Sequence, residues 1–137
     1  MPENTFLLEV ITPEKVLVSE EIESIELPGS QGELQVLAGH TPFLTDLKIG
    51  AITFINGTKK TTISISGGFC EVLQDKTNIL AHTAEQATEI DMQRAEKSQK
   101  RAQKRMQDAS ADSSIDEERA RLSLMRAINR LNVLNMK

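Results

Sequence analysis

The sequence of 137 residues has no tryptophan, no tyrosine and only four phenylalanines. Its hydrophobic core therefore has to be built from Ile, Leu, Val and Ala. One cysteine, Cys70, excludes an internal disulfide, and a reduced, cytosol-facing protein is expected. No apolar run approaches the roughly 18 residues of a membrane-spanning helix, and the N-terminus lacks the basic and apolar stretches of a secretory signal.

Glycine, proline and arginine are unevenly distributed along the chain. All seven glycines and all four prolines lie at or before Gly68, whereas all seven arginines lie after residue 90. Residues 1–89 carry five lysines against thirteen acidic residues, a net charge of −8. Residues 90–137 carry eleven basic residues against seven acidic ones, a net charge of +4. This contrast predicts two domains of different construction, residues 1–86 and residues 87–137.

The first segment alternates short apolar runs with turn residues, a pattern that predicts β-strands. The predicted strands are Phe6–Thr12, Ile22–Leu27, Leu34–Leu37, Ala51–Ile55, Thr61–Ile65, Phe69–Leu73 and Thr77–Ala81. Asn56-Gly57 is a hairpin signal, because both residues tolerate a positive φ. Such short connections leave no room for crossover helices, which argues against a parallel α/β fold. We therefore expect an N-terminal antiparallel β-sandwich.

The second segment is rich in residues that favour helices. Asp91 is predicted to cap a helix that ends near Asp108, and Ser114, with Glu117 three residues later, to cap a helix that ends near Asn135. The apolar stripe of the first predicted helix is narrow and consists of Ala95, Ser98, Ala102, Met106 and Ala109. The second helix has a stronger apolar stripe, which consists of Ala120, Leu124, Ala127, Ile128, Leu131 and Leu134. The polar link between them predicts a C-terminal two-helix antiparallel hairpin.

A short sequence echo marks the start of both predicted helices. Residues 90–95 and residues 115–120 share the form Ile-Asp-x-x-Arg-Ala. The simplest interpretation is two helix starts, each with an N-cap aspartate. A hairpin this thin buries its faces poorly alone and needs the sandwich or a partner. Opened into one helix of about 45 residues, it would reach roughly 70 Å, which suits a conformational switch.

Four sequence blocks carry a family resemblance. They are Gly32 to Pro42, Ser66 to Val72, Ile90 to Ala95 and Arg126 to Leu131. In order and spacing these blocks resemble the epsilon subunit of F-type ATP synthase of the bacterial type, along the whole chain. One departure is Ala38, which stands where many relatives have proline and slightly loosens that turn.

The resemblance implies a non-catalytic central-stalk subunit of the proton-translocating F-type ATP synthase. Its sandwich would bind the gamma subunit and sit on the ring of c subunits, with Glu33 and the His40 turn as contact candidates. A histidine bonded to the backbone of its own turn is the simpler interpretation of His40. The extended helical arm would enter the alpha/beta catalytic head and inhibit ATP hydrolysis. The complex would hold the chain, without direct membrane contact, at the cytoplasmic face of a bacterial plasma membrane.

In relatives that bind nucleotide, the folded hairpin holds one ATP, a regulatory ligand rather than an obligatory cofactor. The positions that match this ATP site are Glu85, Ile90, Asp91, Arg94, Arg101, Arg126 and Arg130. Ile90 would face the base, and Glu85 or Asp91 would accept from its amino group.

The arginines of this set also have a chemical reason to bind phosphate. Arg126 and Arg130 are four residues apart and share one helix face, where two guanidinium forks suit a polyphosphate. Arg101 would complete the clamp in a closed hairpin. Alternatively, the arginines form a solvated face or meet the acidic surface of the catalytic head.

Two other functional classes are less consistent with the sequence. A basic-tailed nucleic-acid-binding module is opposed by a pI near 5.2, the lack of an aromatic platform and acidic residues interspersed in the tail. For an enzyme, His40, His82 and Cys70 offer neither metal-ligand spacing nor the order of a catalytic triad. We therefore predict no catalytic residues and no metal site.

Overall fold

The computed structural model describes residues 4–136, and the chain divides into two compact units between Gln86 and Ala87. The first unit contains the strands β1 (Phe6–Ile11), β2 (Val16–Ile22), β3 (Ser24–Gly29), β4 (Gly32–Leu37), β5 (Phe43–Asn56), β6 (Lys59–Val72), β7 (Lys76–Ala81) and β8 (Ala84–Gln86). The second unit contains a 3-10 turn (Ala87–Glu89), α1 (Met92–Ala109) and α2 (Glu117–Asn135). The predicted fold class, a β-sandwich followed by two helices, is confirmed.

The strands pair in the order β2-β1-β7-β6-β5-β3-β4, and β8 pairs with β6 away from that path. Neighbours joined by short turns are antiparallel, as predicted. β1 and β7 are parallel, with Leu8 opposite Thr77 and Val10 opposite Ile79. These two strands are far apart in sequence, so no turn dictates their direction and only the tertiary fold brings them together.

A long hairpin of β5 and β6, each of fourteen residues, connects the two layers of the sandwich. The predicted turn is present: Asn56 pairs with Lys59, and Gly57 has a φ of 65°. β6 pairs with β8 through Ile63–Ile65 and with β7 through Gly68–Val72. The continuous strand β6 therefore pairs with different strands along its length.

The predicted strand boundaries are wrong in this hairpin. The sequence predicted only Ala51–Ile55 of β5, and divided β6 into Thr61–Ile65 and Phe69–Leu73. Gly67 and Gly68 have the composition of a turn, but they lie inside β6 with φ of 105° and 149°. The two glycines let the strand bend where its partner changes from β8 to β7.

The predicted strand Ile22–Leu27 overlaps β3, but its start is wrong, because the chain changes partners at Glu23. Ile22 ends β2, a strand that the sequence analysis missed, and the next strand begins beyond Glu23. The Glu23 backbone N–H donates to the Ile55 carbonyl at 2.8 Å, and its carboxylate accepts from the Gly57 N–H at 2.8 Å. No glycine or proline marks this corner, so nothing local revealed it.

The core of the sandwich is mainly aliphatic, with Phe6 and Phe54 as its buried aromatic residues, as the scarcity of aromatic residues predicted. Along β1, Phe6, Leu8 and Val10 face inward and are at most 3% exposed. Cys70 is fully buried in the same core, and burial raises the pKa of its thiol from 9.0 to about 12.

The helices of the second unit pack against each other. The Asp91 cap is confirmed, since its carboxylate accepts from the Arg94 backbone N–H at 3.1 Å. Of the two caps predicted for the second helix, Ser114 is wrong, and Asp116, the aspartate of the sequence echo, is confirmed. Asp116, directly before the first helical residue, accepts from the Arg119 backbone N–H at 3.1 Å. Ser114 lies too far from the helix to cap it and donates its hydroxyl to Asp112 at 2.7 Å.

The side chains that the two helices bury are mostly small. They are Ala95, Ala102, Ala120, Ala127 and Val133. Leu124, Leu131 and Leu134, which we expected to supply most of the buried area, are only half-buried. Within the described residues, neither helix is long and apolar enough to cross a membrane.

We expect Gly68→Ala to destabilise the sandwich by about 3 kcal/mol or more. A Cβ at this residue would lie 2.1 Å from the Leu80 carbonyl oxygen, and its φ of 149° disfavours any L side chain. Urea denaturation followed by circular dichroism measures the loss. Gly57→Ala is the control: its Cβ would meet nothing within 4 Å, so only about 1 kcal/mol of strain is expected. Equal losses in the two variants would contradict this account.

Alkylation of Cys70 should be very slow in the folded protein. With the pKa raised from 9.0 to about 12, the folded thiol has roughly 500-fold less thiolate at pH 9 than an unfolded one. Because the folded pKa is the higher one, the protonated thiol's contribution to stability is complete well below the unfolded pKa of 9.0 and is lost as the pH rises toward 12. Iodoacetamide labelling with and without urea tests this, and rapid labelling of the folded chain at pH 9 is the contrary result.

Candidate functional site

A cleft of about 500 Å³ lies between the two helices at the end of the hairpin where the connecting segment joins them. The lining residues are Ser98, Arg101, Ala102 and Arg105 on α1, Ser114 and Ile115 in the connecting segment, and Asp116, Arg119, Ala120, Ser123 and Arg126 on α2 and its N-cap. We call this space the loop-end cleft. It belongs entirely to the second unit.

Helical spacing brings four arginines to the rim of the loop-end cleft. Arg101 and Arg105 are one turn apart on α1, and Arg119 and Arg126 are two turns apart on α2, so each pair shares one helix face. The buried Ala102, only 2% exposed, lets the two backbones approach closely. All four arginine side chains stay exposed and reach out from the contact between the helices.

The electrostatic character of the cleft is strongly positive. Among residues 4–136, no carboxylate forms an ion pair with any of its four arginines. Arg121, a neighbour on α2, donates instead to Glu118 at 3.2 Å and lies outside the lining. Like charges one turn apart on a helix repel by about 0.2–0.5 kcal/mol per pair. A bound anion would relieve this repulsion, and guanidinium groups bind phosphate oxygens in bidentate fashion.

The residues predicted to bind ATP fall in four places, three of them in the helical hairpin. Arg101 and Arg126 line the loop-end cleft together. Asp91 and Arg94 lie at the start of α1, and Arg130 is half-buried in the second half of α2; the lining includes none of these three.

The other two predicted ATP residues have constrained surroundings. Ile90 is only 8% exposed, so little of its surface is open to a base in this conformation. Glu85 lies on β8, in the first unit, where it pairs with Ser64 of β6. The ATP site therefore stays a prediction.

Two arginines of the cleft, Arg105 and Arg119, were missed as site residues by the sequence analysis. Both had a usable signal. Arg105 follows Arg101 by four residues, and Arg119 belongs to the second Ile-Asp-x-x-Arg-Ala echo. Because the echo was interpreted only as a helix start, Arg119 was not predicted as a site residue.

The predicted partner contacts lie on the sandwich. Glu33 is exposed on β4, and His40 is in the turn that follows this strand. The His40 Nδ1–H donates to the Thr41 carbonyl at 2.7 Å, and its ring centroid lies 5.0 Å from that of Phe43. His40 is thus bonded to backbone, the simpler interpretation of a turn histidine. The contacts of Glu33 and His40 with other subunits stay predictions.

The outer face of the sandwich also carries an apolar strip of Ile11, Phe69 and Leu80. Leu80 is the register partner of Phe69 on one side and of Ile11 on the other. Phe69 is 47% exposed and Leu80 is 52% exposed. Adjacent large apolar side chains on a surface are typical of an interaction site. No sequence pattern predicted the strip, because the register of β1 with β7 is a long-range property.

Both segments of the chain match known domains. Residues 5–87 match the family described as ATP synthase, Delta/Epsilon chain, beta-sandwich domain. Residues 88–135 match the family described as ATP synthase, Delta/Epsilon chain, long alpha-helix domain.

Curated relatives match over the full length. The ATP synthase epsilon chain of Bacillus mycoides is 41% identical over 133 residues, which is 97% of this chain and 98% of the relative. That of Desulforapulum autotrophicum is 44% identical over 138 residues, which is 100% of both chains.

Solved structures show the same fold. A chain of the Euglena gracilis mitochondrial ATP synthase, from a cryo-EM structure of OSCP/F1/c-ring, has a TM-score of 0.82 and 25% identity, and the match covers 95% of this chain and 81% of that one. Taken with the domain matches and the full-length relatives, this similarity establishes that the chain belongs to the epsilon-chain family of ATP synthase.

Proposed function

We propose that this epsilon chain is a non-catalytic coupling and regulatory subunit of the ATP synthase central stalk. Its sandwich attaches to the rotor, and its helical hairpin restrains ATP hydrolysis. The observation that carries the proposal is the match of both segments, end to end, to the two domains of the delta/epsilon chain. The related Euglena chain belongs to an assembly named for OSCP, F1 and the c-ring. The proposed partners are accordingly the gamma subunit, the c-ring and the alpha/beta catalytic head.

The surface of the sandwich supports attachment to the rotor. The apolar strip of Ile11, Phe69 and Leu80 exposes large side chains that a partner subunit would remove from water. Glu33 and His40 add polar contact candidates on and beside β4. Through these contacts the complex holds the chain peripherally at the cytoplasmic face of a bacterial plasma membrane.

The hairpin has the properties required of a movable arm. It forms a compact unit of its own, and its buried contacts are mostly alanines, so separating its helices costs little. Residues 90–137 carry a net charge of +4, which favours contact with an acidic surface of the catalytic head. An arm in that position obstructs rotation in the direction of hydrolysis.

ATP is proposed to regulate this arm by binding only the closed hairpin. Arg101 on α1 and Arg126 on α2 meet in one cleft, and this supports the proposal because both helices are needed to bring the two guanidinium groups together. A ligand that binds one conformation stabilises it by about 2.7 kcal/mol at 100 times its dissociation constant. This amount is comparable to the weak packing between the helices and is enough to shift the population.

Removal of residues 88–137 should raise ATP hydrolysis by the reconstituted complex severalfold, because the inhibitory arm is lost. Binding to gamma and proton-coupled ATP synthesis should persist, since the sandwich core lies entirely before residue 88. Co-purification with gamma, together with the hydrolysis rate, measures both effects. A truncated chain that folds but no longer binds gamma would show that the proposed division of roles is wrong.

Isothermal titration of the isolated chain with ATP should show saturable one-to-one binding. Because a hydrogen bond to a charged group contributes about 1.5–3 kcal/mol, Arg126→Ala with Arg130→Ala should weaken binding by about a hundredfold or more. Arg121→Ala is the control, since it removes a positive charge from α2 at a residue that is not part of the predicted ATP site and that donates to Glu118 instead. The absence of binding up to millimolar ATP would assign these arginines to the catalytic head instead.

A further inference from the structure

The sequence echo at the two helix starts is the beginning of a longer repeat. When residues 90–109 are aligned with residues 115–134, an offset of 25, eight of the twenty positions are identical. The identical pairs are Ile90/Ile115, Asp91/Asp116, Arg94/Arg119, Ala95/Ala120, Ser98/Ser123, Arg101/Arg126, Ala102/Ala127 and Arg105/Arg130. Four of the eight pairs are an aspartate or an arginine, and two are alanines.

The structure treats the two copies of the repeat alike. Asp91 has φ −85° and ψ 109°, and Asp116 has φ −78° and ψ 102°. Each carboxylate accepts from the backbone N–H of the arginine three residues later, at 3.1 Å in both copies. The repeated alanines, Ala95, Ala102, Ala120 and Ala127, are all buried, at 1–4% exposure.

A repeat carried by two antiparallel helices relates them by a pseudo-twofold axis perpendicular to both. This axis exchanges the loop end of the hairpin with its open end. The offset of 25 residues pairs six residues that line the loop-end cleft with their six equivalents in the repeat. The cleft residue is given first in each pair: Ile115/Ile90, Asp116/Asp91, Arg119/Arg94, Arg126/Arg101, Arg101/Arg126 and Arg105/Arg130. The second members of these pairs are the six hairpin residues of the predicted ATP site. The cleft is therefore built from the symmetry equivalents of that whole set.

We propose that the loop-end cleft is a second polyphosphate-binding site on the hairpin. Its own residues are Arg105 and Arg119, while Arg101 and Arg126 are shared with the predicted ATP site. The cleft volume of about 500 Å³ and the four arginines, which have no carboxylate partner among residues 4–136, are properties of the structure itself. Only the identification of the ligand as a polyphosphate of the nucleotide kind rests on the proposed ATP function.

The geometry of the cleft suits a chain of phosphates better than a single one. Its arginines come from both helices and are spaced one to two turns apart along them, about 5–11 Å at 1.5 Å per residue. Several guanidinium forks therefore reach successive phosphate groups. Half-buried Ile115 lines the same cleft and offers an apolar surface beside the phosphates, the equivalent of Ile90.

Sharing of Arg101 and Arg126 couples the two sites. A guanidinium that turns toward a ligand in the loop-end cleft is no longer available to a ligand at the open end. Occupation of one site therefore weakens the other, while either ligand favours the closed hairpin. Under this arrangement the cleft tunes the response of the arm to ATP.

The test is an NMR titration of the full ¹⁵N-labelled chain, first with inorganic tripolyphosphate and then with ATP. We expect saturable shifts of the backbone amides of residues 115–119. Arg105→Ala with Arg119→Ala should weaken this binding by about tenfold or more, and Arg94→Ala with Arg130→Ala should preserve it. Alanine favours helix, so both double variants keep the hairpin folded. Equal affinities identify the phosphate chain as the ligand group, whereas tighter ATP binding adds a contact with the base.

Two further variants test whether positive charge alone accounts for the binding. Arg105→Lys with Arg119→Lys keeps the charge but loses the guanidinium fork, and it should weaken binding measurably. Arg121→Ala should have no effect. The proposal is overturned by shifts that never saturate, by an equal effect of Arg121→Ala, or by binding that survives the Arg105/Arg119 substitutions. Saturable binding at residues 115–119 with none at residues 90–94 would refute the predicted ATP site and leave the second site standing.

Discussion

Contact between two helices through alanine side chains is the interaction on which the helical hairpin of this protein depends. Ala95, Ala102, Ala120 and Ala127 are nearly completely buried, but each contributes only one methyl group. At about 0.8 kcal/mol per buried carbon, the four together supply roughly 3 kcal/mol. This stabilisation is of the same size as the effect of a ligand at moderate saturation, so the closed hairpin is within reach of regulation.

The same alanines explain why the arginines gather. Small side chains allow the helix backbones to approach, and the long polar side chains beside them are then forced to the rim of the contact. Four guanidinium groups of like charge surround the loop-end cleft, and their mutual repulsion partly opposes the packing below them. A bound polyanion attracts all four guanidinium groups, so the electrostatic energy that opposed the packing then favours it. In the proposed function, weak packing and excess positive charge act together to make the closed hairpin depend on a bound ligand.

The sandwich is built on the opposite principle. Its core consists of large aliphatic side chains that are almost fully buried, and the fourteen-residue strands β5 and β6 join its layers. Gly68 lies so close to the Leu80 carbonyl that the backbone there tolerates no side chain. In the proposed function, the first unit presents a constant surface, including the apolar strip, while the second unit changes state. This division matches a family whose members combine a β-sandwich domain with a long α-helix domain.

The sequence alone determined the features that depend on local chemistry. The change in composition near residue 87, the Asp91 cap and the hairpin at Asn56-Gly57 were all predicted, because helix propensity, capping and turn conformation act over a few residues. For the second helix the sequence predicted two caps, Ser114 and Asp116, and only the observed hydrogen bonds distinguish them. For the site, the sequence identified Arg101 and Arg126 through the family resemblance.

Only the tertiary structure decided what depends on residues distant in sequence. The parallel register of β1 with β7, which creates the apolar strip, has no local signal. The continuity of β6 through Gly67 and Gly68 follows from its change of partners rather than from its composition. The loop-end cleft likewise appears only when α1 and α2 are packed together, because its arginines come from both helices. Sequence assigns each residue to a face of its own element, and packing decides which faces meet.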